Sequence, residues 1–295
     1  MKKLLMITLL LSLLALVSCS GSLSEPASQL LPTLESAVGE VASAVEEHSS
    51  DETHWSYDDH GAGGPDHWAS LDLGPNKTNE CGIGTQSPIN LASSTGADLE
   101  NIRFDYGDAA VNILNNGHTI QVDQIQGSQI VIGGETYLLK QFHFHAPSEH
   151  RLNGQEYPLE MHLVHKTADE SKAAVVGIFI AEGTANDAFN PVWAHLPAHE
   201  SPEEQNPATG EMVHVAQATG EEVSLAAFLP TDALFYRYDG SLTTPPCTTG
   251  ILWSVMQTPI EMSAEQIAEF TGIMSGNNRP VQPLNERDLL LDATP

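Results

Sequence analysis

Basic side chains are scarce in this 295-residue chain: 11 lysines and arginines face 39 aspartates and glutamates, for a formal charge of −28. A surface of that sign repels phosphate backbones and anionic headgroups, which excludes nucleic acid as a partner and describes a solvated, aggregation-resistant exterior. Also lacking from the start of the chain is an apolar run of the roughly 20 residues that a bilayer span requires. The run at residues 4–17, behind Lys2 and Lys3, is too short for a span and right for a secretory h-region, so residues 1–18 are expected to be an export signal. Aromatic residues are missing from residue 20 until Trp55. That stretch is rich in Ser, Ala, Glu and Pro, and its weak apolar stripe (Leu34, Ala37, Val38, Val41 and Val45, after Thr33) is too small to fold alone. Residues 19–52 therefore read as a flexible tether.

Cysteine is nearly absent too, with only Cys19, Cys81 and Cys247. The sequence LVSC at 16–19 resembles the lipobox of bacterial lipoproteins, which implies that Cys19 is acylated and begins the mature chain; the alternative is an ordinary cleaved signal. Ser20 beside it resembles lipoproteins sent onward to the periplasmic side of an outer membrane. If Cys19 takes lipid, Cys81 and Cys247 are an even pair in an oxidising compartment, where a disulfide is the expected state and two buried thiols the alternative. Closing so long a loop stabilises by about 5 kcal/mol in the chain-entropy treatment.

Residues 53–295 are expected to form one domain, since the chain is 41% hydrophobic and long enough to bury a full core. Short segments of strand character recur between turn signals, at 111–114, 119–123, 129–132, 136–145, 159–166 and 173–181. Helical patterns are few. The best is 263–274, with Ser263 before an acidic first turn and Gly276 beyond the end. The fold class is a β-dominated α+β domain, with 195–214 as an exposed excursion.

One stretch concentrates chemistry: QFHFHAPSEH, 141–150, puts three of the 13 histidines into ten residues. In a strand, His143 and His145 point to one face while Phe142 and Phe144 pack behind them. A second alternating stretch, EMHLVH at 160–165, sets His162 on one face with Glu160 and His165 on the other. Three neutral imidazoles with an open fourth position describe a catalytic zinc site rather than a closed structural one. Spacing alone leaves ester hydrolysis, hydration chemistry and metal storage open.

QFHFH at 141–145, EMHLVH at 160–165 and SLTTPPC at 241–247 resemble, in order, the hallmark segments of the α-class carbonic anhydrases. QSPIN at 86–90, ILNNGH at 113–118, AVVGIF at 174–179, ILW at 251–253 and NNRPVQPLNER at 277–287 extend the resemblance over the whole domain. It implies a central, mostly antiparallel twisted sheet with short peripheral helices. It also implies Zn2+ held by His143, His145 and His162, and reversible hydration of carbon dioxide to bicarbonate through zinc-bound hydroxide.

The same resemblance assigns the remaining roles. Gln141 and Glu160 would accept from the outward nitrogens of His143 and His162, and the backbone carbonyl of Asn278 from that of His145. Thr243 and Glu149 would orient the hydroxide, Glu149 as an acceptor that forces the direction of both hydrogen bonds. Val164, Val175, Leu242 and Trp253 would wall the carbon dioxide pocket, with Thr244 contacting bicarbonate. His118 would shuttle the proton at an imidazole's ordinary pKa near 6.5, across waters held by Tyr57, Asn116 and Gln121. Cys81 and Cys247 match the disulfide of secreted members.

Gln121, where Asn is common, and Ala146, where Trp is common, depart from the family's pattern. Relatives that serve as non-catalytic binding modules typically lack a ligand, whereas all three are present here. A periplasmic zinc store is the other alternative, but His48, His54, His60, His67, His195, His199 and His214 show no shared period. Bacterial relatives are often dimers, so a homodimer is the expectation by analogy.

Overall fold

A computed structural model describes residues 54–74, 77–123, 125–292 and 294. The expected signal, Cys19 and the tether lie outside the described residues. The alternating segments assemble into one 13-stranded sheet. Ten of its strands form a continuous path and are labelled in chain order: β1 (Thr95–Ala97), β2 (Asp108–Asn115), β3 (Ile120–Val122), β4 (Glu135–His145), β5 (Leu159–Lys166), β6 (Ala173–Glu182), β7 (Gln217–Ser224), β8 (Phe235–Ser241), β9 (Thr249–Met256) and β10 (Leu290–Asp292). Their order across the sheet is β7-β2-β3-β4-β5-β6-β9-β8-β10-β1. Pairing is antiparallel except where β6 meets β9 and β10 meets β1. The expected mostly antiparallel sheet is therefore present.

Alternation divides the central strands between a core and a site. Phe142 and Phe144 on β4, with Met161 and Leu163 on β5 and Val176 and Ile178 on β6, enter the main buried cluster. There Phe144 meets Phe189, Trp193 and Phe270 edge-on or tilted, and Phe142 meets Phe228. Each fully buried phenylalanine contributes about 1.5–3 kcal/mol, so this packing supplies the rigidity of the strand on which the histidines stand. On the opposite face His143 pairs with His162, and His145 with Glu160, across the β4–β5 ladder. On β6, Gly177 lies opposite His162, and a Cβ there would come within 3.1 Å of Glu160 Oε1. A side chain at 177 would crowd the carboxylate.

The helix is shorter than the 263–274 the pattern suggests: it runs Ala264–Thr271, started by a reciprocal capping box between Ser263 and Gln266. Gly272 is still helical in conformation, and beyond it the N–H groups of Ile273 and Met274 both turn back to Phe270 O, which closes the helix. The excursion at 195–214 is not featureless. Glu203–Gln205 pairs with Met212–His214 as a separate two-stranded hairpin, and Ser201 fastens its base to Asn115 through both backbone and hydroxyl.

Cys81 and Cys247 are joined by a disulfide across 166 residues of sequence, beside buried Trp68 and Leu71. The bridge holds the 242–249 loop at the end of β8 together with Glu80, whose carboxylate accepts from the N–H and hydroxyl of Thr249. Reduction is expected to lower the unfolding free energy by about 2–5 kcal/mol. Urea titrations with and without reductant measure it; coincident curves would contradict it.

Candidate metal centre

Donor atoms of His143, His145 and His162 all lie within 4.8 Å of one another. Each ring has one nitrogen already committed. His143 Nδ1–H donates to Gln141 Oε1 at 2.8 Å, His145 Nδ1–H to a backbone carbonyl at 2.6 Å, and His162 Nε2–H to Glu160 Oε1 at 2.8 Å. An acceptor on one ring nitrogen places the proton there and frees the lone pair of the other. The free atoms are thus Nε2 of His143 and His145 and Nδ1 of His162. His145 Nε2 is buried with no hydrogen-bond partner, a state that a polar atom tolerates poorly unless something else coordinates it. Burial pushes all three imidazoles below their ordinary pKa, to about 4 for His145, so they are neutral donors at pH 7. The residues fit a zinc ion with an open position.

The carbonyl that receives His145 belongs to Asn277, not to the expected Asn278. Asn277 is pinned on the strand end because its side chain accepts from Ala146 N–H and donates to Phe144 O and His118 O. Successive carbonyls of an irregular segment point differently, so a shift of one residue changes the acceptor. His150, Glu160 and His162 also lie close enough to hold an ion. Their contacts are hydrogen bonds of 2.7 and 2.8 Å onto one carboxylate oxygen, which account for the cluster. Burial pushes the Glu160 carboxyl up, but His150 and His162 and their hydrogen bonds override it and hold the pKa well below the usual range.

Glu149 is buried, with Oε2 at 3.5 Å from His145 Nε2 and 3.9 Å from His162 Nδ1. It stands on that side of the centre and does not join the three nitrogens that are mutually close. Oε1 accepts the backbone N–H of Arg279 at 2.8 Å. Burial raises its pKa to about 7, against the lowering influence of His162, of the Arg279 N–H and of the Thr243 hydroxyl. Thr243 is also buried.

Two cavities meet at His118. An inner one of about 120 Å³ reaches His143 and His145 and is lined also by Gln121, Gln141 and Thr244. An outer one of about 960 Å³ is lined by His54, Glu200, Glu203, Met212 and His214 among others. Trp55, Tyr57, Asn116 and His118 line both. The structure therefore brings Tyr57, Asn116, Gln121 and His118 together between His143 and His145 on one side and the outer cavity on the other. Gln121 lies directly across the ladder from His143. His118 stacks on Trp55 with ring centroids 3.6 Å apart, and its Nε2 is 3.1 Å from His54 Nε2. Burial, then His54 and His214, lower its pKa to about 4, well under the ordinary value expected.

Val175 and Trp253 sit in a second buried cluster, with Val164 and Leu242 packed against it. Trp253 and His162 meet edge to face at 4.9 Å between centroids, so this apolar cluster adjoins the histidine cluster. Several contributors went unseen in the sequence. Arg279 is buried and hydrogen-bonds Gln86 Oε1, Ser87 O and Cys81 O through its guanidinium, tying the disulfide segment to the residue that holds Glu149. His54 and His214 had read as scattered, yet they share a cavity with His118. Nothing local marks them; the shared cavity is a product of chain path.

The family model described as eukaryotic-type carbonic anhydrase matches residues 63–292. A carbonic anhydrase of Pectobacterium atrosepticum is 38% identical over 245 residues, covering 82% of this chain and 92% of that protein. One from Klebsiella pneumoniae is 40% identical over 238 residues, covering 80% and 89%. Among solved structures, the α-carbonic anhydrase of Thermovibrio ammonificans in complex with the inhibitor sulfanilamide superposes with a TM-score of 0.68 at 39% identity, over 80% of this chain and 98% of that one.

Proposed function

The chain belongs to the eukaryotic-type, or α, carbonic anhydrase family, zinc enzymes of carbon dioxide hydration, and from that premise we propose how its own residues carry the reaction. Zinc, when bound, supplies the Lewis acidity that makes a hydroxide nucleophile available near neutral pH. His143 and His145 would hold it through Nε2 and His162 through Nδ1. The observation that carries this reading is the buried, partnerless Nε2 of His145 beside the two other freed nitrogens. Glu149, as a carboxylate, takes the Arg279 N–H on Oε1, and its buried Oε2, which has no hydrogen-bond partner, would take the Thr243 hydroxyl. Thr243 Oγ is then left only with lone pairs, so it accepts the nucleophile's hydrogen and turns its attacking pair toward the substrate. Carbon dioxide, uncharged, rests on Val164, Val175, Leu242 and Trp253, and Thr244 contacts bicarbonate.

Stopped-flow hydration by the zinc-loaded protein tests the reading. A protein that holds stoichiometric zinc and is inert would favour a non-catalytic module or a zinc store instead.

The proton leaves by His118. An imidazole lowered to about 4 is neutral at pH 7 and gives a proton up readily, so release outward is favoured and loading is the harder half. His118→Ala is expected to slow turnover about 10-fold or more in dilute buffer, in line with general acid–base contributions, and added imidazole to restore part of it. Equal rates at low and high buffer would remove His118 from the path.

The proposal extends to location. Residues 1–18 and LVSC at 16–19 support export as a lipoprotein, and the joined Cys81 and Cys247 suit an oxidising compartment. Palmitate labelling of the full chain, lost in Cys19→Ser, checks it; unlabelled wild type would leave a cleaved, unanchored protein.

A further inference from the structure

Basic side chains are scarce enough to be followed one by one. Beyond Lys2 and Lys3 the chain has nine. Lys77, Arg103, Lys140, Arg151, Lys166 and Lys172 each meet a carboxylate at 3.4 Å or less. Arg279 is buried and spends its guanidinium on Gln86, Ser87 and Cys81. Arg237 and Arg287 are left without a carboxylate at ion-pair distance among the described residues, and both line one cavity of about 430 Å³. None of its lining residues lines the two cavities that meet at His118, so it is separate from the metal centre. A cation withdrawn from water without a counter-charge is costly. Two of them at one cavity, in a chain with 39 acidic residues, mark a place that suits a negative group from outside.

Strand register puts the cavity where the sheet narrows. Arg237 on β8 lies opposite Ser254 on β9 and Leu290 on β10, and Asp239 lies opposite Leu252. β10 covers β8 only from Phe235 to Arg237; beyond it Asp239 O is taken instead by Arg287 Nη1–H at 3.0 Å. Arg287 also donates Nε–H to Leu284 O at 2.9 Å and Nη2–H to Pro283 O at 2.8 Å. All three acceptors are neutral. Arg237 donates Nε–H to Ser254 Oγ at 3.0 Å, and its Nη2 is buried with no hydrogen-bond partner. Of the five N–H groups on a guanidinium, Arg237 therefore spends one and Arg287 three. Each head is steadied by a ring, Arg237 over Phe235 at 4.8 Å and Arg287 over Tyr238 at 5.6 Å. Burial lowers the pKa of both below the ordinary arginine value, and Asp239 acts against it in each; both stay cations at pH 7.

The cavity is charged unevenly. Arg237 and Arg287 are half-buried, whereas Asp239, Glu286 and Asp288, which also line it, are exposed, so the wall is cationic and the rim anionic. A simple anion would have to pass that rim, and the acidic exterior of the whole molecule, to reach the guanidiniums. A ligand with a carboxylate and an ammonium side by side answers both charges. Leu252 and Leu290, partly buried in the same lining, supply apolar surface beside them. We propose that this cavity binds a small zwitterion, an α-amino acid with an apolar side chain: its carboxylate meets the unspent donors of Arg237 and Arg287, its ammonium meets the rim carboxylates, and its side chain rests on Leu252 and Leu290. A few charged groups set around apolar lining, in a volume of this size, are the ordinary make-up of a small-molecule site. Arginine is suited to the carboxylate because its planar fork donates to both oxygens at once.

The probe is L-leucine, titrated into zinc-loaded full-length protein labelled with nitrogen-15 at its five arginines, whose Nε–H signals report on each guanidinium. The signals of Arg237 and Arg287 are expected to move together and saturate, while those of Arg103 and Arg151, already paired with carboxylates, stay still. 4-Methylpentanoate, which lacks the ammonium, and 3-methylbutylamine, which lacks the carboxylate, should each bind about 10-fold or more weakly, the cost of losing a hydrogen bond between charged groups. Arg237→Met keeps an apolar stem over Phe235 and removes the fork, so leucine should no longer move the Arg287 signal. Asp239→Asn combined with Asp288→Asn should weaken leucine several-fold and leave 4-methylpentanoate bound no less tightly. Should Arg237→Met fail to fold, the wild-type ligand series and the rim variant decide. Absence of a saturating shift with leucine overturns the proposal. So does equal affinity for leucine and 4-methylpentanoate, which would mean a simple anion site, or an Arg287 signal that still responds in Arg237→Met, or unchanged leucine affinity in the rim variant.

Discussion

His145→Ala is expected to lower carbon dioxide hydration by more than about 100-fold, beyond the range usual for losing a partner behind a ligand, and to leave the protein without stoichiometric zinc. The ring is buried, one nitrogen is spent on Asn277 O, and the other is the partnerless atom aimed at its two neighbours. Alanine removes one of three donors and offers nothing in exchange, whereas an ion with a catalytic vacancy already has the minimum of protein ligands. Chelation of the wild type should reproduce the loss. Added zinc should reverse the chelated wild type and leave the variant inactive. A variant with stoichiometric zinc and most of its activity would show that His145 does not coordinate.

Thr243→Ala should cost about 10²- to 10³-fold in kcat/KM, the range for removing one preorganised polar group at a reacting centre, while zinc content stays at the wild-type level. The distinction from His145→Ala lies in that retained metal. Thr243 and Glu149 are both buried, and the carboxylate accepts Arg279 N–H on Oε1 while Oε2 has no partner. Thr243→Ser keeps the hydroxyl and is expected to recover most of the rate. Glu149→Gln preserves shape but supplies an amide that can donate, so the direction of the hydrogen bonds is no longer forced, and a loss of about 10²-fold follows. Full activity in Glu149→Gln would mean that acceptor-only character is not what Glu149 contributes.

Much of this arrangement could be read from local pattern. Alternation at 141–145 and 160–165 separates histidines from Phe142, Phe144, Met161 and Leu163, and the structure places those apolar residues in the main core. Side chains of a strand alternate faces by backbone geometry alone, so no knowledge of the partner strand is needed. The capping residues Ser263 and Gln266 likewise act within one turn, which is why the helix start was legible and its end, closed by the N–H groups of Ile273 and Met274 turning back to Phe270 O, less so.

Other features belong to contacts between distant parts of the chain. The acceptor behind His145 is 132 residues away, and local pattern favours Asn277 and Asn278 equally; the loop's path chose Asn277. Arg279 reaches Gln86 across 193 residues, and Tyr238 reaches His150 across 88. His118 carries no mark of its depressed pKa, because burial against Trp55 and the approach of His54 come from separate segments.

By itself the sequence determined the acidic charge balance and the strand-borne histidine faces, since charge and period-2 geometry are properties of consecutive residues, while the choice of three imidazoles as ligands came from the family resemblance. Tertiary structure alone decided which nitrogen of each imidazole is free and what stands behind Glu149 and Glu160. Those depend on where a carbonyl, an N–H or a phenol from a remote segment comes to rest, and hydrogen-bond direction is settled only when both partners are in place.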